Sequence, residues 1–209
     1  MIFKQETQIL KCTFEKEHFS KVKAAFKDRW PVVYIIEDDE KGQAYIGEST
    51  NICTRICDHW NNTERRALKN IYIIFNKVFN KSVILDLEAF LIGYIVADGK
   101  YRLQNGNGGQ HVHNYYLRDE YQREFRHIWQ LLQDEGVVRH GITLLENQDL
   151  FKYSPYKILN LDQFNVAVQI LTDLKSDLGN NNQSRSFIID GGAGTGTVSY
   201  THLTLPTIR

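Results

Sequence analysis

Pro31-Val32-Val33-Tyr34-Ile35-Ile36-Glu37-Asp38-Asp39-Glu40-Lys41-Gly42-Gln43-Ala44-Tyr45-Ile46-Gly47 is the stretch on which the fold turns. A β-branched and aromatic run from Val32 to Ile36 stops at a polar segment ending in Gly42, and strand character resumes at Gln43. Two such runs close in sequence predict an antiparallel hairpin, with Gly42 supplying the turn. Downstream, Ser49, Thr50 or Asn51 can provide the oxygen that caps a helix through Ile52, Arg55, Ile56 and His59. Arg55 and His59 stand four apart and share a face of it. Asn70 to Phe75 is a third strand candidate, and Ser82 is placed to cap an apolar helix from Val83 to Val96. Asp86 and Glu88 interrupt that helix, Asp98-Gly99 ends it, and Gln104 to Gly109 reads as a loop. The expected fold class is α/β: a small, mainly antiparallel three-stranded sheet flanked by helices.

Outside this core, Phe14, Phe19, Val22 and Phe26 recur at spacings of three to five, which predicts a short amphipathic, helical lead-in within residues 1–29. Residues 30–110 form the expected central domain. Tyr121, Phe125, Ile128 and Leu132 predict an amphipathic helix from Leu117 to Gln133, inside a helical connector over 111–160. Another helix is expected from Leu161 to Leu178, then a polar linker from Gly179 to Ser184 and a buried strand from Arg185 to Asp190.

Composition bounds the function. Of 209 residues, 42% are hydrophobic and 24% charged, material for a real core and unlike collagen-like or disordered chains. Twenty-five Lys+Arg balance twenty-five Asp+Glu, so a nucleic-acid partner has to be met by a local basic face, which argues against a histone-like binder. Cys12, Cys53 and Cys57 cannot all pair, and no signal-peptide pattern opens the chain, which together predict a reducing, cytoplasmic location. Asp86, Glu88 and Asp98 break the apolar stretches short of the roughly 20 residues a membrane span needs.

The stretch from Val32 to Glu88 resembles the GIY-YIG nuclease family. Tyr45-Ile46-Gly47 reproduces the second half of the family's name, and Val32-Val33-Tyr34 keeps the tyrosine of the first half with Val32 in place of its glycine. The family's helical arginine falls on Arg55, its frequent histidine on His59, its metal-binding glutamate on Glu88 and its late asparagine on Asn105 or Asn107. The resemblance implies hydrolysis of phosphodiester bonds in DNA, RNA not being excluded, with Mg²⁺ or Mn²⁺ as cofactor. Tyr34, Tyr45, Arg55, His59 and Glu88 are then the catalytic set, Glu88 the metal ligand, and Gly47, Asn51, Asn105 and Asn107 supporting residues.

The chemistry of these side chains suits that reaction. Phosphodiester hydrolysis needs an activated water, neutralisation of developing charge and help for the departing oxygen. Arg55 offers planar, permanently charged donors to phosphate oxygens. Glu88 is a hard oxygen ligand of the kind Mg²⁺ takes alongside water. Tyr34, with Tyr45 beside it on the paired strand, can orient or deprotonate the attacking water if positive charge stands nearby. Each also has an ordinary explanation: strand tyrosines pack, a helical arginine is solvated, and Glu88 can lie on a narrow polar stripe. Cys53 and Cys57, four apart with no second pair, read as packed thiols and not as a zinc site. His111 and His113 with Tyr115, Tyr116, Arg118 and Arg123 could contact a nucleic-acid backbone, although a loop followed by a charged helix explains them more simply.

Near the C-terminus, Asp190-Gly191-Gly192-Ala193-Gly194-Thr195-Gly196 follows an apolar strand as a phosphate-binding loop would. Gly191 and Gly196 fit G-x-x-x-x-G-K-[ST], but Thr197 stands in place of Lys and Val198 in place of Ser or Thr. Leu159 to Gln163, followed by Ala167 and Ile170, resembles the adenine-reading glutamine segment of superfamily 1 helicases. Together they resemble the truncated start of a Schlafen-like helicase over 161–197, with Gly191, Gly194 and Gly196 in an incomplete P-loop and Gln163 toward adenine. ATP would be a ligand of the intact parent only; neither ATP hydrolysis nor unwinding is expected of this chain. Residues 198–209 resemble translated sequencing adapter and are expected to be an artefactual tail. The expected function is metal-dependent endonucleolytic cleavage of DNA, as the N-terminal part of a nuclease–helicase protein in DNA repair or defence. The alternative is a non-cleaving nucleic-acid-binding module that positions the missing ATP-dependent helicase.

Overall fold

The computed structural model describes residues 7–26, 29–106, 109, 114–147 and Val166. The chain divides into two units, 1–142 and 143–209; of the second, the described residues are 143–147 and Val166. A short helix, α6 (Ile142–Glu146), stands at the division.

β2 (Val32–Asp38) and β3 (Gln43–Ser49) form the hairpin read from the sequence, antiparallel from Val32 opposite Ser49 to Asp38 opposite Gln43. Gly42 lies in its turn at φ +60°, a conformation glycine adopts without steric cost. One oxygen of buried Asp38 accepts the turn N–H groups of Glu40 and Lys41 at 3.1 and 3.2 Å. β4 (Asn70–Phe75) pairs antiparallel with β2 on its other side, with Tyr34 opposite Ile73.

The sheet is larger than the expected three strands. It has five, in the order β1-β4-β2-β3-β5. β1 (Gln8–Thr13) occupies part of the segment whose aromatic spacing suggested a helix, and pairs antiparallel with β4. The reason is tertiary: β4 is apolar on both faces, and without β1 its backbone would be left as an unpaired, hydrophobic edge. β1 closes that edge with a strand exposed at Gln8, Lys11 and Thr13. The expected helix survives as α1 (Phe19–Ala25), after a turn that buries Phe14. β5 (Arg102–Leu103) adds a short parallel pairing to the start of β3.

Strand side chains alternate between faces. Val32, Tyr34, Ile36, Tyr45, Ile71 and Ile73 face a cluster made by Phe14, Phe19, Val22 and Phe26 with Ile52 and Ile56 of α2 (Ile52–Asn61). Half-buried Cys53 and Cys57 pack against this cluster as free thiols. The other face receives α4 (Lys81–Asp98), which in turn is covered by α5 (Arg118–Asp134) through Phe90 on Phe125 and Tyr94 on Trp129. Lying between sheet and helix explains why α4 is apolar nearly all round. It starts earlier than expected, because Asn80 and not Ser82 is its cap: Asn80 Oδ1 accepts the Val83 N–H at 3.2 Å. Its end is as expected, at Gly99 with φ +68°. Of its two interior acids, Asp86 is buried under α5 and accepts from Tyr115 Oη (2.9 Å) and Gln122 Nε2 (3.2 Å); Glu88 goes elsewhere.

Candidate active site

The hairpin register sets the floor of the site. Tyr34 stands directly opposite Gly47, and Tyr45 opposite Ile36, so the two tyrosines are diagonal neighbours on one face with ring centres 6.3 Å apart. Gly47 has an ordinary strand backbone; what it supplies is room. A Cβ there would stand 2.5 Å from Tyr34 Cζ and closer still to the hydroxyl oxygen. The Tyr34 ring therefore lies across the glycine, fully buried.

α2 brings two more groups over this floor. Of the three possible caps, Asn51 is the one used: its Oδ1 accepts the Thr54 N–H at 3.4 Å, while Ser49 Oγ accepts the Asn51 N–H at 2.9 Å. One turn on, Arg55 Nε donates to Tyr34 Oη at 3.3 Å, and His59 Nε2 lies 2.7 Å from the same oxygen. The His59 ring is buried beside both tyrosine rings, 5.5 Å from Tyr34 and 4.8 Å from Tyr45. A short helix, α3 (Thr63–Arg66), follows, capped by Asn62 Oδ1 on the N–H groups of Glu64 and Arg65. It turns Arg65 back over the site, with Nη1 3.0 Å from His59 Nδ1 and the guanidinium 3.9 Å from the centre of the Tyr45 ring.

These contacts fix the charges. Burial, then the charges of Arg55 and Arg65, push the His59 pKa down to about 3, so its imidazole is neutral. Burial, helped by Tyr45 and opposed by Arg55, raises the Tyr34 hydroxyl well above its ordinary value. Tyr34 is thus a phenol and His59 a neutral imidazole in the resting site.

Glu88, half-buried on α4, supplies the negative side. Burial and then the charge of Glu48 raise its pKa to about 7, against Lys81, Arg55 and the Glu48 backbone N–H, which favour the charged form. Glu48, on the strand face toward α4, pairs one carboxylate oxygen with Lys81. Its other oxygen, Oε2, is buried and accepts no hydrogen bond. Two adjacent carboxylates with an unsatisfied buried oxygen form a set that a divalent cation suits chemically. Among the described residues no group of three or more His, Cys, Asp or Glu is arranged to hold a metal.

Asn105 serves β3 directly. Its Oδ1 accepts the Ile46 N–H at 3.0 Å and its Nδ2 donates to the Ile46 carbonyl at 2.8 Å, extending by a side chain the ladder that β5 begins. Asn107, His111, His113, Gln163, Gly191, Gly194 and Gly196 lie outside the described residues. Arg65 and Glu48 were not singled out from the sequence. Glu48 had a signal available, as a carboxylate directly after Tyr45-Ile46-Gly47; Arg65 had none beyond the capping asparagine before it.

Tyr34, Tyr45, Arg55 and His59, from two strands and one helix, are thus in contact, with Glu88 of α4 near enough for charge to act between it and Arg55. Residues 31–95 match the family model of the GIY-YIG catalytic domain. GIY-YIG domains define a family of nucleases, generally dependent on divalent metals, so a nucleic acid is the substrate class that the match implies. The matched segment holds Tyr34, Tyr45, Arg55, His59 and Glu88, and spans β2, β3, α2, α3, β4 and most of α4; β1, β5, α5 and Asn105 lie outside it. No curated protein and no solved structure matches the chain.

Proposed function

We propose that this chain is a divalent-metal-dependent endonuclease that cleaves DNA, using Tyr34, Tyr45, Arg55, His59 and Glu88. The observation that carries the reading is the convergence on one oxygen: Tyr34 Oη meets both His59 Nε2 and Arg55 Nε, with Glu88 close enough for its charge to act on Tyr34 and Arg55 to act on it. Arg55, half-exposed above the buried tyrosine, is the group that meets the scissile phosphate. Tyr34 and Tyr45 orient the attacking water, and the hydrogen bond that Arg55 donates to Tyr34 Oη lowers the cost of ionising it as a proton leaves. His59 holds Tyr34 in place and does not itself take the proton. Glu88, with the free oxygen of Glu48, would hold Mg²⁺ or Mn²⁺, which when bound would neutralise phosphate charge and provide acidic water for the leaving oxygen.

The wider context is proposed from sequence alone. Gln163 and the turn from Asp190 to Gly196 support placing this domain at the N-terminal side of a nuclease–helicase protein in DNA repair or defence. The test is to offer the full chain supercoiled plasmid, single-stranded DNA and branched DNA, with Mg²⁺ and with EDTA. Metal-dependent cleavage of at least one supports the nuclease. Salt-dependent binding with no cleavage of any would leave a binding module in its place.

A further inference from the structure

We propose that Arg65 is a positioning residue that fixes the tautomer of His59, and so makes the Tyr34 oxygen an acceptor from both of its neighbours. Its relevance to catalysis rests on the nuclease reading above; its content rests on distances. Arginine carries donors only. Arg65 Nη1, 3.0 Å from His59 Nδ1, therefore requires Nδ1 to be the bare nitrogen. A neutral imidazole holds one proton, which then sits on Nε2, and Nε2 at 2.7 Å must donate to Tyr34 Oη. Arg55 Nε donates to the same oxygen from 3.3 Å. With both of these directions filled by donors, the Tyr34 hydrogen points in a third direction, away from His59 and Arg55. The other tautomer would reverse this: Nε2 would accept, and the Tyr34 hydrogen would be locked onto the imidazole. Two further contacts hold Arg65 to the task, its stacking on Tyr45 and the Asn62 cap that starts α3.

The experiment is imidazole nitrogen NMR on the full chain with ¹⁵N-labelled histidine, at neutral pH and without DNA, the His59 signals being assigned by their loss in His59→Gln. The wild type is expected to show Nδ1 bare and Nε2 protonated. Arg65→Lys keeps a donor and is expected to keep that pattern, whereas Arg65→Glu exchanges a donor for an acceptor and is expected to move the proton to Nδ1. A wild type with Nδ1 protonated, or a folded Arg65→Glu variant with the proton still on Nε2, overturns the proposal. The wild-type spectrum decides even if Arg65→Glu does not fold. In plasmid cleavage, Arg65→Glu is expected to lower kcat by at least about 10-fold with KM little changed, the sense in which a wrong histidine tautomer acts in hydrolases. A wild type with the expected tautomer and no cleavage refutes the nuclease and leaves the assignment of Arg65 standing; a cleaving wild type with Nδ1 protonated does the reverse.

Discussion

Gly47→Ala is the smallest change that reaches the centre of this site. The added Cβ would stand 2.5 Å from Tyr34 Cζ and 3.1 Å from Cε2, where ordinary contacts begin near 3.4 Å. The ring must retreat by roughly 1 Å, because Tyr34 is fully buried and its neighbours are packed. Overpacking of this kind costs about 1–3 kcal/mol. Against it stands the roughly 0.5–1 kcal/mol that alanine gains over glycine in a regular strand. The sign therefore depends on Tyr34 alone. Urea unfolding followed by tryptophan fluorescence should show Gly47→Ala destabilising the wild type by about 1–2 kcal/mol. In a Tyr34→Val background, where the ring is gone, the same change should stabilise by about 0.5 kcal/mol. The displaced ring also leaves His59 and Arg55, so cleavage by Gly47→Ala should fall to the level of Tyr34→Phe. Equal effects in the two backgrounds, or an unchanged stability in the wild type, would refute the reasoning.

Other expectations follow from the same geometry. Glu88 binds its proton more tightly when folded, so its contribution to stability is present below about pH 4.5 and lost as pH rises through about 7; without metal, Glu88→Gln should therefore overtake the wild type across that window in urea unfolding. His59 acts in the opposite sense, contributing stability above about pH 6.5 that is lost as pH falls toward 3, so His59→Gln should flatten the acid side of the wild-type curve. Asn51→Ala and Asn80→Ala should each cost about 1 kcal/mol as lost caps, while Ser82→Ala should stay within about 0.5 kcal/mol; thermal melts that rank Ser82 with the two asparagines would contradict the cap assignment. Mn²⁺ titrated calorimetrically should bind the full chain, less tightly after Glu48→Gln and least after Glu88→Gln; equal affinity for wild type and Glu48→Gln would remove Glu48 from the cation site.

The centre of the fold was legible because it is local. Val32 to Gly47 carries its own turn chemistry and strand character, and the α4 pattern, broken only by two acids, announces a buried helix. The outer strands were not legible, since Gln8–Thr13 becomes a strand only by pairing with Asn70–Phe75 far along the chain, and Arg102–Leu103 is too short to carry a pattern. Phe14, Phe19, Val22 and Phe26 suggested one helix because all four face the same cluster, although a turn and a helix deliver them. In the site, the family resemblance pointed to Tyr34, Tyr45, Arg55, His59 and Glu88; the structure sets the first four in contact and Glu88 within reach of the charge of Arg55. What spacing could not show is who holds whom. That Gly47 makes room for Tyr34, that Asn105 clamps Ile46, and that Arg65 reaches His59 depend on contacts between elements.

The most direct test is the rate at which the full chain nicks supercoiled plasmid in Mg²⁺, measured beside EDTA and beside Arg55→Ala and Glu88→Ala proteins shown to be folded by their melting. Both side chains are half-exposed, so their loss should leave the fold intact. Nicking that needs the metal and falls at least about 100-fold in each variant is the predicted result. Nicking by the wild type that persists in EDTA, or that survives both substitutions, would contradict it.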